Sequence, residues 1–213
     1  MVFRILLQSI CKKMHIEYLN QNLFFMKFRF VSIVAIAFMF AIGFAGCEKD
    51  DADSVENKNI AKLGAQSNTE LGGFLSISEK KIYTIDQAAQ NQEKIDIFCF
   101  YEVGNDIAIA GPGSNISGVF GGEANDPVNW DIQNETRFCV VEALTQVEFN
   151  ALKDGDTAIE ALYNVESNYK KAKLLSIDNI YAFKTAAGTY GVLYVTDVIV
   201  GEDGYVEFEY KIK

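Results

Sequence analysis

The stretch YVEFEYKI, residues 205–212, alternates apolar and polar side chains without a break. Val206, Phe208, Tyr210 and Ile212 fall on one side, and Glu207, Glu209 and Lys211 fall on the other. A period of two belongs to a strand with one face in a core and the other in water. Two runs rich in β-branched and aromatic residues precede it, at 180–185 and 189–200. The linkers Ala186-Ala187-Gly188 and Gly201-Glu202-Asp203-Gly204 have hairpin lengths. The C-terminus therefore reads as a three-stranded β-meander.

Upstream, helix signals alternate with strand signals. Residues 74–83 look extended, with Phe74, Ser76 and Ser78 opposed to Leu75 and Ile77. Thr84 with Gln87 has the form of a capping box, which predicts a short helix to about residue 92. Residues 95–103 are apolar nearly throughout and predict a strand buried on both faces, with 107–110 as its continuation. A turn at Gly111-Pro112-Gly113 leads into a loop over 114–135 that holds Trp130, the only tryptophan. Residues 137–143 read as another strand. Two further capping boxes, Thr145 with Glu148 and Thr157 with Glu160, predict helices at about 146–153 and 158–166. The fold class is α+β, a mostly antiparallel sheet with two or three short helices. It occupies a single globular domain over 71–213, behind an acidic flexible tether over 47–70.

The front of the chain is of another kind. Lys27 and Arg29 precede an apolar run from Phe30 to about Phe44, and the small residues Ala45 and Gly46 lead to Cys47. This is the layout of a secretory signal, over 26–46, and the apolar run is shorter than the ~20 residues that comfortably span a bilayer. Phe44-Ala45-Gly46-Cys47 resembles a relaxed bacterial lipobox, which implies cleavage before Cys47 and acylation of its thiol. Two or three acyl chains would hold a domain to a membrane durably, at ~0.8 kcal/mol per buried methylene. Residues 1–25 do not suit a signal peptide, and Met26 is read as the translation start.

Lys49, Asp50 and Asp51, after Cys47, resemble the surface-export signal of Bacteroidetes lipoproteins; a plain solvated tether is the other reading. Asp53-Ser54-Val55 resembles an O-glycosylation motif of the same bacteria, with Ser54 as acceptor. The expected location is the outer membrane, with the domain facing the cell exterior.

Of the 213 residues, 29 are Asp or Glu and 19 are Lys or Arg, a formal net charge of −10. Nucleic-acid phosphates call for clustered cations, so no nucleic-acid partner is expected, and Lys170, Lys171 and Lys173 read as a solvated face. His15 is the only histidine, and Met1, Met14, Met26 and Met39 are the only methionines. All five precede Cys47. The mature chain then lacks imidazole for a catalytic triad or a zinc site, and lacks the usual haem ligands. No cofactor, metal or catalytic residue is expected. Cys99 and Cys139 sit in strand-like runs, and sequence leaves open whether they form a disulfide or stay buried and free. Acidic turns at 126–131, 154–156 and 202–203 lack EF-hand spacing. The tyrosines crowded toward the C-terminus suit either half-buried strands or a ligand platform.

Asp96-Ile97-Phe98-Cys99 and the run Lys184-Thr185-Ala186-Ala187-Gly188-Thr189-Tyr190 resemble, in order and layout, motifs of small Bacteroidetes outer-membrane lipoproteins that include HmuY-like haem carriers. The resemblance covers residues 71–213 and implies an architecture, without the His or Met that would hold haem. The function expected first is a non-catalytic binding or accessory module, lipid-anchored, with an envelope protein or an extracellular glycan or peptide as partner. A hydrolase working by two carboxylates on a glycan is the second reading. A porphyrin carrier using tyrosine is the third.

Overall fold

A computed structural model of the protein describes residues 58–122 and 124–213. The signal segment, Cys47, Lys49, Asp50, Asp51 and Ser54 lie outside the described residues. Among those described, no helix is long and apolar enough to cross a membrane.

Two five-stranded antiparallel sheets face each other. The strands are β1 (Asn59–Gly64), β2 (Phe74–Ser76), β3 (Lys81–Tyr83), β4 (Ile97–Glu102), β5 (Asp106–Ala110), β6 (Arg137–Val140), β7 (Lys171–Ala172), β8 (Ile180–Lys184), β9 (Tyr190–Ile199) and β10 (Tyr205–Ile212). Sheet I has the order β1-β10-β9-β8-β6, and sheet II has the order β3-β2-β4-β5-β7. The helices α1 (Ile85–Ala89), α2 (Gln146–Ala151) and α3 (Ala158–Ala161) are one or two turns each. The class is α+β with sheet dominant, and β8-β9-β10 is the meander read from the sequence.

The main core lies between the sheets. Sheet I sends in Leu63, Phe183, Leu193, Val195, Val206, Phe208 and Tyr210, and sheet II answers with Leu75, Ile97, Cys99, Ile107 and Ile109. Successive side chains of a strand alternate faces, so each sheet has a second side to cover. On sheet II, Phe74, Phe98, Phe100 and Ala108 are covered by Trp130 and Ile116 of the long loop and by Ala88 of α1. On sheet I, Ile180, Val192 and Tyr194 are covered by Phe149 of α2 and Ile159 of α3. Strands β4 and β9 read as continuous apolar runs for this reason.

Several expectations are corrected. The tether does not reach residue 70, because β1 is an edge strand of sheet I, paired on β10 with Ala61 opposite Phe208 and Leu63 opposite Val206. Ala61 and Leu63 are buried. Residues 74–83 are a hairpin, β2 on β3, that turns at Lys80 with φ 51°. Residues 107–110 do not continue β4. The chain reverses at Gly104, φ 84°, and β5 returns antiparallel along β4.

The capping boxes at Thr84 and Thr145 both form. The one at Thr157 does not, since Thr157 is itself helical and its side chain caps nothing. The polar side of β10 is not uniformly wet either. Glu209 is 7% exposed and Lys211 6%. Helix α2 lies over them: the Lys211 ammonium donates to the carbonyls of Asn150 and Leu152, and Glu209 accepts from Lys58 at 2.9 Å.

Phe208 is fully buried between the sheets, whereas Glu207 is partly exposed, near Lys62 and accepting from Thr196. Phe208→Ala should lose the transfer energy of the ring and leave a cavity, a cost of ~3–5 kcal/mol. Glu207→Ala should cost less than about 1 kcal/mol, the ceiling for an exposed ion pair. Urea melts of the two variants check this; a milder effect for Phe208→Ala would mean that β10 is displaced by one residue.

Candidate functional site

The strand directions give the domain two poles. The described chain comes in at Lys58 and Asn59, beside Tyr210, Asp154 and Lys80. Strand β1 ends at Gly64, opposite Tyr205, at the far pole. Four loops meet there: 65–73, the β4–β5 turn, 173–179 and the β9–β10 turn.

Their backbones are tied together. Ala65 and Ser67 donate to the carbonyls of Gly204 and Glu202. The Gln66 amide both donates to Tyr101 O and accepts from Tyr101 N–H. The Asn68 amide nitrogen reaches the carbonyls of Asp203 and Gly204, and its oxygen accepts from the N–H groups of Glu70 and Leu71. A polar segment with this many fixed partners is a rigid wall.

That wall closes one side of an open recess of about 580 Å3, on the outer face of sheet I beyond the reach of α2 and α3. Lys62, Leu71, Ile199 and Tyr205 line it, with Asn68, Glu70 and Asp203 at its margin. Lys62 lies 3.9 Å from the centre of the Tyr205 ring and 3.5 Å from Glu207. Tyr205 first, and Glu207 after it, push the Lys62 ammonium above its ordinary range. The Tyr205 hydroxyl donates to Asp197. The recess offers one cation, one aromatic ring and apolar sides, with amide and carboxylate groups around the edge. Such a mixture suits recognition of a partly polar ligand.

A β-bulge shapes the site. Opposite β10 the register passes from Val195 to Asp197, leaving Thr196 as an extra residue. Leu193 and Val195 face the core before the bulge, and Val198 packs against it after. Strict alternation would have put Asp197 inside; the inserted residue leaves Asp197 on the Tyr205 side and turns Ile199 outward, 52% exposed. Gly204 closes the turn where a Cβ would stand 2.0 Å from the Ile199 carbonyl.

Cys99 and Cys139 are both free. Cys99 faces the space between the sheets, and burial pushes its thiol far above the ordinary range. Cys139 follows the inward Phe138, so it faces the other side of sheet I, where Leu162 O and Asn164 N–H are its partners. The thickness of a sheet separates the two, which corrects the disulfide reading. Among the described residues no three His, Cys, Asp or Glu side chains gather as metal ligands. Asp126 caps a turn over 127–129, and Asp154 accepts from Ile212 N–H, Asn59 and Lys80. Tyr181, Tyr194 and Tyr210 are core residues, leaving Tyr205 as the tyrosine of the recess.

Lys62, Asn68 and Glu70 fall in the segment read as tether, and Leu71 lies at its border with the domain. The alternation of Ala61, Leu63 and Ala65 with Lys62, Gly64 and Gln66 is the signal that could have found the strand, muted by small side chains.

A second, smaller recess of about 90 Å3 lies near the pole where the chain comes in, lined by Asp96 with Ser78, Glu93, Lys94, Asn134 and Thr185. Asp96 is 8% exposed and accepts from Ile77 N–H at 2.9 Å. Burial raises its pKa to about 6, and the Ile77 hydrogen bond opposes the rise. Between pH ~4 and 6 the folded chain keeps a proton that the unfolded chain has released, so stability falls as pH rises through that window. The loss is on the order of 3 kcal/mol and is complete above pH ~7. Asp96→Asn should remove it, giving a variant more stable than wild type at neutral pH and no more stable at pH 3.5. Thermal melts across pH 3.5–7.5 measure the difference; parallel curves for the two proteins would contradict it.

No protein-family model and no curated protein matches the chain. Among solved structures, the fold is similar to that of a DUF4466 family protein from Parabacteroides merdae ATCC 43184, with 17% identity and a TM-score of 0.49. The superposition covers 73% of this chain and 54% of that one, so the chain spans about half the length of that relative.

Proposed function

We propose that this chain is a lipid-anchored module of the bacterial cell envelope that binds a partner and catalyses nothing. Acyl chains on Cys47 would hold it to the outer membrane, and Lys49, Asp50 and Asp51 would send it to the outer surface. Envelope proteins and extracellular glycans or peptides are the ligand classes that suit the recess. The observation that carries the reading is the recess at the far pole, walled by a segment whose amides are already engaged. A wall fixed in advance lowers the ordering cost of binding.

Glycan hydrolysis by two carboxylates is supported less well. Glu70 and Asp203 share the recess but are both exposed, whereas the general acid of such a pair needs burial to hold its proton. Asp96 is buried with a raised pKa, yet its recess is far below the ~300–1,000 Å3 of ordinary ligand sites.

Metabolic labelling with an alkyne fatty acid tests the anchor. Wild type should take up label and fractionate with the outer membrane, and Cys47→Ala should take up none and leave that fraction. Labelling of Cys47→Ala at the wild-type level would remove the basis for the reading. Alanine at Lys49, Asp50 and Asp51 together should keep the label and abolish cleavage by protease added to whole cells. Cleavage at the wild-type rate would reduce those residues to a tether.

A further inference from the structure

Exposed apolar side chains are unevenly placed on the described surface. Of eleven large hydrophobic residues that are exposed, five lie on three of the loops that meet at the far pole. Val103 at 86% exposure tips the β4–β5 turn; Leu174 and Ile177 belong to 173–179; Ile199 and Val200 flank the β9–β10 turn. The loops are adjacent. Leu174 N–H donates to Asn105 O, Ser67 N–H to Glu202 O, and Gln66 joins the fourth loop to Tyr101. None of the five is required by either sheet's core, and clustered exposed apolar groups rimmed by polar ones mark interaction surfaces.

The rim is acidic. Glu70, Asp106, Asp178, Asp197, Glu202 and Asp203 surround these tips, with Lys62 and Lys173 as cations and a third, Lys171, engaged by Glu102 at 3.0 Å. An anionic leaflet would be repelled, and so would a second copy of this pole. We infer that the far pole is a docking surface for a protein partner with a basic surface around an apolar centre, the tips at Val103 and Val200 entering the apolar part. The inference deepens the binding reading above by naming the partner's chemistry.

The test uses the full chain in detergent and a fluorescent amphipathic peptide of Leu and Lys, with a Leu and Glu peptide of the same length beside it. The Leu–Lys peptide should bind and the Leu–Glu peptide should not. Val103→Asp with Val200→Asp, and separately Glu202→Lys with Asp203→Lys, should each weaken binding by about tenfold or more. Glu93→Lys, an exposed acid at the opposite pole, should change it by less than about twofold. An equal loss from Glu93→Lys would show attraction to overall charge and overturn the proposal. So would co-sedimentation with phosphatidylglycerol vesicles that the Val103/Val200 variant loses, which would make the pole a membrane contact. Self-association lost in the same variant would make it a homodimer surface and overturn it too. Peptide binding does not need the lipid, so failure of the Cys47 experiment and failure here are separable.

Discussion

Burial of Val206, Phe208 and Tyr210 between the sheets is the contact on which the remaining architecture rests. Strand β10 is paired on both sides, by β1 and by β9, so the side chains it sends inward fix the height of three strands at once. Each is worth ~1.5–3 kcal/mol in transfer from water, a large share of the ~5–15 kcal/mol that separates folded from unfolded in a domain of this size. Once β10 is seated, β1 has a template. Its small residues could not hold it in place alone, and the loop over 65–73 becomes a wall because its predecessor is a strand. The recess is thus a by-product of core packing on the opposite face of the same strands.

Charge follows the same logic. Glu209 and Lys211 lie on a face that alternation assigns to solvent, and α2 covers it. The Lys211 ammonium meets carbonyls at a helix C-terminus, where the backbone dipole favours a cation. Glu209 has Lys58 at 2.9 Å and Lys211 at 3.9 Å. A buried pair of this kind adds little net stability over apolar residues. It does fix where α2 can sit, since a helix shifted by one turn would leave the Lys211 ammonium unsatisfied.

What the sequence made legible follows from how local each cause is. The β10 alternation, the hairpins before it and the capping boxes at Thr84 and Thr145 depend on neighbours within a few positions. Strand β1 was illegible because Ala61 and Ala65 make its apolar side slight, so that Lys58, Asn59 and Lys62 dominate the impression. The reversal at Lys80 carries no glycine or proline to announce it. The burial of Glu209 and Lys211 depends on a helix about 60 positions away. The recess was out of reach for a related reason: Lys62 and Leu71 come from one end of the domain and Ile199 and Tyr205 from the other. Only a folded sheet brings them to one face.

The inserted Thr196 has a consequence for how this chain can change over evolutionary time. Because inward and outward positions exchange at that residue, β9 is a strand of two phases joined at a single point. Closing the bulge with every residue kept would direct the Asp197 carboxylate into the apolar layer, whereas closing it by loss of Thr196 would leave Asp197 outward and Val198 inward. Point substitutions on the outward side leave both phases in place, so Ile199 and Val200 are free to drift in character. The surface at this pole could be retuned repeatedly without disturbing the strand that presents it.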